Sequence, residues 1–326
     1  MPVMKAAVVE AFGPPENLTF RTLPDPEPGQ HDVIVDVCAA GVGFVDGLLV
    51  QGLYQVKPPL PYVPGNEFAG VVSAVGDKVA HLKIGQRVMG TAAGAYADKL
   101  KAPATACIPT PDAMSDEIAA GFAISYATAL YAWRDCGKAL KGETVLVLGA
   151  AGGVGQAAIA VAKTMGLRVI AAASTDEKRA AAKAAGADDV VDYTADNWRD
   201  ALKVLTAETG LDLVYDPVGG MLAEAALRSL SPGGRHLVVG FASGDIPKVG
   251  LNIALLKRCS IVGADWGGEI RANPALAAEQ FGTLLGWIGD GSLKPAPVLT
   301  RSMADLPQAL RDQLDRKLVG KLVMVN

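Results

Sequence analysis

Cysteine and histidine are both scarce in this chain. The four cysteines, Cys38, Cys107, Cys136 and Cys259, lie far apart and include no C-x-x-C pair. They offer no disulfide framework and suit the reduced, buried thiols of a cytosolic protein. The three histidines, His31, His81 and His236, stand alone in the sequence, as ordinary surface or strand residues do. Blocks of one charge are missing too: the net charge is −4, with no basic run and no acidic tail. That excludes recognition of nucleic acid or of a membrane surface by bulk charge. No apolar run reaches the roughly 18 residues that span a bilayer. The opening MPVMKAAVVEAFG lacks the charged, apolar and small-residue order of a signal peptide, and reads as a first strand entering a Gly-Pro turn. Internal repeats and low-complexity linkers are also lacking.

What is present suits two domains. A chain of 326 residues, about half apolar and a fifth charged, is a globular protein too long for one small core. Residues 1 to about 120 are rich in Gly, Pro and Val, in short runs such as HDVIVDVCAAGV and GVVSAVG separated by turns such as PDPEPGQ. Such runs make a β-rich domain. Helical patterning begins near Ser115 and Asp116. From Thr144 strand-like and helix-like runs alternate: TVLVLGA, GQAAIAVAKTMG, RVIAAAS, EKRAAAKAAG, DDVVDY, DLVYDPV, a helix near 221–230, GRHLVVGFA and CSIVGADW. Alternation of this kind predicts a parallel sheet covered on both faces. The fold class is therefore α/β, a doubly wound Rossmann sheet (123–267) inserted between two parts of a β-rich domain (1–122 and 268–326). The tail VLTRSMADLPQALRDQLDRKLVGKLVMVN supplies a helix and a strand whose partners lie in the β-rich part.

LVLGAAGGVGQAAIAVAKTMG joins an apolar strand directly to an alanine-rich helix, and Ala150, Gly152 and Gly155 follow the small-x-Gly-x-x-Gly spacing. Small residues there let backbone N–H groups approach a pyrophosphate at the positive helix end. Ala150, Ala151, Gly152, Gly153 and Val154 are thus expected cofactor contacts. The next strand ends in Ser174, where an NAD-preferring fold carries an acid, and Lys178 and Arg179 follow. A hydroxyl with nearby cations suits a 2′-phosphate, so NADPH is the expected cofactor. Asp176 and Glu177 are first-turn helix residues that suit the helix dipole.

Four segments taken together carry a family resemblance: AAGVGFVDGLLVQGLYQVKPPLPYVPGNEFAGVVSAVG, VLVLGAAGGVGQAAIAVAKTMG, LVYDPVGG and GGRHLVVGFASGDIP. The chain resembles the medium-chain dehydrogenase/reductase superfamily, and within it the zinc-free NADPH:quinone oxidoreductase family. The resemblance implies a GroES-like β-rich catalytic domain, a substrate cleft beside the Rossmann domain, and a cytoplasmic homodimer. Zinc alcohol dehydrogenases of the superfamily take metal ligands from Gly-Ile-Cys, Gly-His-Glu and a later cysteine. Those positions read here as Gly43, Asn66 and a residue near Ile124, none of them a good zinc ligand. The structural zinc lobe is replaced by VMGTAAGAYADKL. Glu67 alone remains, either as an acceptor beside the nicotinamide or as an acid held by backbone N–H groups or a basic side chain.

Hydride added to a quinone or enone spreads charge over the conjugated system, so ordinary hydrogen-bond donors suffice without a Lewis acid. The implied activity is NADPH-dependent reduction of such an acceptor. An enoyl-thioester (enoyl-CoA or ACP) reductase and a non-enzymatic NADPH-binding protein are the alternatives. Tyr54 in LVQGLYQ is the implied proton donor, with water as the other source; the related enoyl-thioester reductases share Gln-Gly-x-Tyr and Gly-Asn-Glu. Gly43 and Leu48 depart from the Asn and Tyr frequent in quinone reductases, and Tyr62 reads as packing between prolines. By the same resemblance Thr128 packs on the nicotinamide and Tyr193 lies near the 2′-phosphate. Gly240, Phe241 and Ala242 line the cofactor's path, and Asp265 and Trp266 hold its carboxamide.

Overall fold

The VMKAAV run forms strand β1 (Val3–Val8), paired antiparallel with β2 (Thr19–Pro24), in a computed structural model that describes residues 2–326. The valine-rich HDVIVDVCAAGV follows as β3 (Asp32–Val42), whose Val33, Val35 and Val37 face the core. Helix α1 (Phe44–Gln51) starts directly after it and stops at Gly52. Four further strands come next: β4 (Phe68–Val75), β5 (Arg87–Gly90), β6 (Lys99–Pro103) and β7 (Cys107–Pro109). Ser115 then caps α2 (Asp116–Ala120) by accepting from the Ile118 N–H, as serine at a helix start does.

Helix α3 (Ala123–Leu130) runs into a π-helical turn over Tyr131–Cys136. The expected alternation follows: β8 (Thr144–Val147), α4 (Gly153–Thr164), β9 (Arg168–Ala173), α5 (Asp176–Ala184), β10 (Asp189–Asp192) and α6 (Trp198–Leu205). It continues through β11 (Leu213–Asp216), α7 (Met221–Ser229), β12 (Arg235–Val238), α8 (Leu251–Lys257) and β13 (Ser260–Gly263). Two helices, α9 (Trp266–Ala272) and α10 (Pro274–Gly289), precede β14 (Val298–Ser302), α11 (Leu306–Leu314) and β15 (Lys321–Val325).

These elements pack as two units. The first comprises the chain up to Ile124 together with Pro297–Asn326. Its main sheet runs β14-β15-β3-β4-β5-β7, with β6 alongside β3. Val35, Phe68, Val88, Tyr96, Leu310, Leu322 and Met324 share its core. Strand β15 enters antiparallel to β3, with Leu322 opposite Val42, so the tail completes the sheet that the early strands begin.

The second unit, Ser125–Ala296, holds a six-stranded parallel sheet in the order β10-β9-β8-β11-β12-β13. All four residues of β8 and of β11 are buried, as central strands covered on both faces require. The order reverses between β9-β8 and β11, and ligands bind outside the carboxyl ends of the strands at such a reversal. The boundary expected at 267/268 lies well inside this unit. The reason is α10: Trp266 Nε1 donates to Gln280 Oε1 at 2.8 Å, and Gln280 Nε2 donates to Asp135 Oδ2 at 2.7 Å. Among the described residues no helix is long and apolar enough to cross a membrane.

Candidate functional site

In the second unit the turn between β8 and α4 is built from small residues. Ala150 N donates to Ala172 O at 3.2 Å, which ties the turn to β9. Gly152 caps α4 without a side chain. Among the described residues, the N–H groups of Gly153, Val154 and Gly155 donate to no backbone carbonyl. Unsatisfied donors at the positive end of a twelve-residue helix form a site for an anion. Gly155 permits the tight approach, because a Cβ there would lie 2.7 Å from Ala150 Cα. Buried Gln156, which the sequence reading missed, donates from Nε2 to Ala151 O at 3.2 Å and holds the turn from behind.

The neighbouring strand ends carry the ribose-side candidates. Asp192 of β10 stands opposite Ala173 of β9, so Ser174 and Tyr193 leave adjacent strands side by side. Lys178 lies in the first turn of α5, where Thr175 caps the helix. Arg179 is already matched, with Asp192 at 2.9 Å, Asp176, and the Ala173 carbonyl at 3.2 Å. Its charge therefore fixes the β9 and β10 ends more than it offers a free cation.

The remaining candidates of this unit lie on α3 and after β12 and β13. Ala242 N donates to Pro217 O and Gly240 N to Asp216 O, pinning the loop after β12 to the loop after β11. Half-buried Thr128 sits on α3, and among the described residues its hydroxyl makes no bond back to its own turn. Asp265 caps α9 by accepting from Gly268 N at 2.9 Å. The Trp266 side chain is buried, bonded to Gln280 and edge-on to Phe281 at 6.3 Å. It is committed to packing, which leaves only the backbone around it to meet a ligand.

His236 also differs from the reading of an isolated histidine. It is buried on β12 with Nε2 3.0 Å from Asp216 Oδ2, while Asp216 Oδ1 accepts from Val218 N and Gly219 N. The pair braces the loop after β11 from within. Nothing in the sequence linked two residues on separate strands.

In the first unit Tyr54 is half-buried in the turn after α1. Glu67, 1% exposed, accepts from Ile124 N at 2.8 Å and from Lys321 Nζ at 2.7 Å. It is thus held by a backbone N–H and a basic side chain together. Burial pushes its carboxyl upward, and Lys321 and the Ile124 N–H oppose that push. Nearby Asp46, 4% exposed, was not singled out from sequence. Its Oδ2 accepts from Gly43 N at 2.8 Å and pairs with Tyr96 Oη at 3.0 Å, and its Oδ1 accepts from Asn66 Nδ2 at 2.7 Å. Burial raises Asp46 as well, and drives Tyr96 well above the usual phenol range. The Tyr62 hydroxyl is buried without a partner among the described residues, and burial raises it to about 12. Also among the described residues, no three His, Cys, Asp or Glu side chains converge as a metal site.

Comparison with known proteins agrees with this division. Residues 29–112 match the family "Alcohol dehydrogenase GroES-like domain", and residues 153–281 match "Zinc-binding dehydrogenase". The chain is 38% identical over 301 residues to the quinone oxidoreductase-like protein 2 homolog of Nematostella vectensis, covering 91% of this chain and 82% of that protein. Among solved structures it resembles Escherichia coli quinone oxidoreductase complexed with NADPH, with a TM-score of 0.89 and 29% identity over 99% of this chain and 100% of that one. The CurK enoyl reductase shares the fold, with a TM-score of 0.90 and 24% identity over 99% of each chain.

Proposed function

The chain belongs to the quinone oxidoreductase family of the medium-chain dehydrogenases/reductases, and on that premise we propose that it is a zinc-independent reductase of quinones or α,β-unsaturated carbonyls. NADPH is its cofactor. The residues fit that dinucleotide: open N–H groups at Gly153, Val154 and Gly155 for the pyrophosphate, and Ser174 with Lys178 and Tyr193 for the 2′-phosphate end. When bound, NADPH supplies a hydride. Thr128, Gly240, Phe241, Ala242, Asp265 and the Trp266 backbone would hold the rest of the dinucleotide.

One observation carries the choice of acceptor. Gly43, Ile124 and Asn66 offer no imidazole or thiolate, and Glu67 is already occupied by Lys321 and the Ile124 N–H. With no ligand set for a Lewis acid, the chemistry favours an acceptor whose own conjugation spreads the arriving charge. Tyr54, in the turn after α1, supplies a phenolic proton, and water is the alternative source.

A second reading, an enoyl-thioester reductase, is favoured by the Gln-Gly-Leu-Tyr and Gly-Asn-Glu stretches around Tyr54 and Glu67. NADPH oxidation on a naphthoquinone, a simple enone and crotonyl thioester separates the two readings. Tight NADPH binding with no oxidation on any of them would reduce the protein to a nucleotide binder. On the preferred acceptor, Tyr54→Phe is expected to lower kcat by about 100-fold, the scale of a lost general acid. The Kd for NADPH should stay put. Unchanged turnover would remove Tyr54 from the chemistry.

The proposal extends to a cytoplasmic homodimer. All four cysteines are free thiols, in keeping with a reducing compartment. Leu251, Leu255 and Leu256 of α8 are each at least 75% exposed, and Ile261 is exposed on the edge strand β13. Exposed leucines and an open strand edge each suit a second copy. Leu255→Asp is expected to sediment as a single chain at concentrations where wild type sediments as two. A wild type that is already monomeric would end this part of the proposal.

A further inference from the structure

Asn66 is the one half-exposed residue between buried Gly65 and buried Glu67. Its backbone surroundings are fixed on both sides. Gly65 O accepts from Gly94 N at 2.9 Å and Ala95 N at 3.2 Å, and Glu67 O accepts from Gly41 N at 3.0 Å. Its side chain is fixed as well, by the 2.7 Å bond from Nδ2 to Asp46 Oδ1. Asp46 meets Asn66 with Oδ1 as the acceptor, while its Oδ2 is taken up by the Gly43 N–H and the Tyr96 hydroxyl, so Asp46 dictates which end of the amide faces it. The backbone N–H of Gly43 and the hydroxyl of Tyr96 hold Asp46 itself in place. The amide therefore has one orientation, with its second N–H and its Oδ1 carrying no protein partner among the described residues.

We propose that Asn66 is a catalytic hydrogen-bond donor to the acceptor oxygen, and that Asp46 is the positioning residue that sets its amide. This rests on the reductase reading above. As the hydride and its electron pair pass from NADPH, which is oxidised to NADP+, a C–H bond forms on the acceptor. The π pair moves along the conjugated system onto the carbonyl oxygen. A proton from Tyr54 or water then neutralises that oxygen, and Asn66 keeps its own protons throughout. A preorganised amide N–H aimed at developing negative charge acts where a metal ion acts in other enzymes. Asp46 is well placed for this task because it is buried and cannot exchange its partners for water.

The test needs a readout besides turnover. Asn66→Leu is expected to lower kcat by about 100-fold, the usual scale for a lost oxyanion donor, with the KM for NADPH unchanged. The same variant, saturated with NADP+, should bind 4-nitrophenolate, a non-reducible aromatic oxyanion, about tenfold more weakly by its absorbance band, the loss of one hydrogen bond. Asp46→Asn keeps the carboxyl's shape but presents an N–H toward Asn66, which turns the amide over and displaces the outward donor. It should lower kcat and weaken phenolate binding while leaving the KM for NADPH alone, and it decides the matter if Asn66→Leu fails to fold. Wild-type kcat or wild-type phenolate binding in either folded variant overturns the assignment. A wild type that reduces no acceptor instead overturns the reductase reading itself.

Discussion

Lys321→Met is expected to destabilise the first unit by about 3–5 kcal/mol, the cost of leaving one partner of a buried ion pair uncompensated. Glu67 is 1% exposed and the Lys321 side chain 12%, so water cannot take the lysine's place. The Ile124 N–H would be the carboxylate's remaining donor. The sign with pH follows from burial, which raises Glu67 in the folded state. The folded chain then holds this proton more tightly than the unfolded chain does. Its contribution is fullest in acid and is lost as pH rises from the ordinary carboxylate range to the raised folded value. Removing Lys321 deepens that loss, so the gap from wild type should be wider near about pH 8 than near about pH 5. Glu67→Gln/Lys321→Met should recover most of the stability, because an amide needs no counter-charge and still accepts from Ile124. Urea melts at both pH values measure all three; equal midpoints for Lys321→Met and wild type would refute the expectation.

Gly155→Ala is expected to weaken NADPH binding by roughly 10- to 100-fold, the equivalent of one lost charge-assisted hydrogen bond. The added methyl would meet backbone rather than a movable side chain, with Ala150 Cα 2.7 Å away. The turn must therefore shift, taking the open N–H groups of Gly153 and Val154 with it. Ala157, two positions on, is already a buried alanine in the same helix, so helix propensity is not at issue. Titration of NADPH fluorescence gives the Kd directly. An unchanged value would show that the pyrophosphate does not use this turn.

The parts legible in the sequence were those whose physics is local. The strand, small-residue turn and alanine-rich helix around 144–164 announce one another within twenty-odd positions. The ends of β9 and β10 could be placed because parallel strands joined by one helix emerge on the same side. What stayed hidden depends on partners far apart in the chain. The cation that answers Glu67 is Lys321, brought in only when β15 pairs with β3. Asp46 passed unnoticed, because the partners that mark it out, Asn66 and Tyr96, lie 20 and 50 positions along the chain. The second domain boundary was set too early because the 268–296 stretch has no strand of its own to announce its unit. Its allegiance rests on side-chain links made only in the fold, among them Gln280 shared between Trp266 and Asp135, and Glu279 paired with Arg134.

The route of β15 has a consequence for how the molecule is born. A ribosome delivers β3, and with it the acid of the following segment, long before it delivers the lysine that neutralises that acid. The whole nucleotide unit emerges in between. Residues 125–296 hold every strand of their own parallel sheet, whereas the earlier-made sheet must wait for a strand translated after them. The region synthesised first is thus the last to become whole.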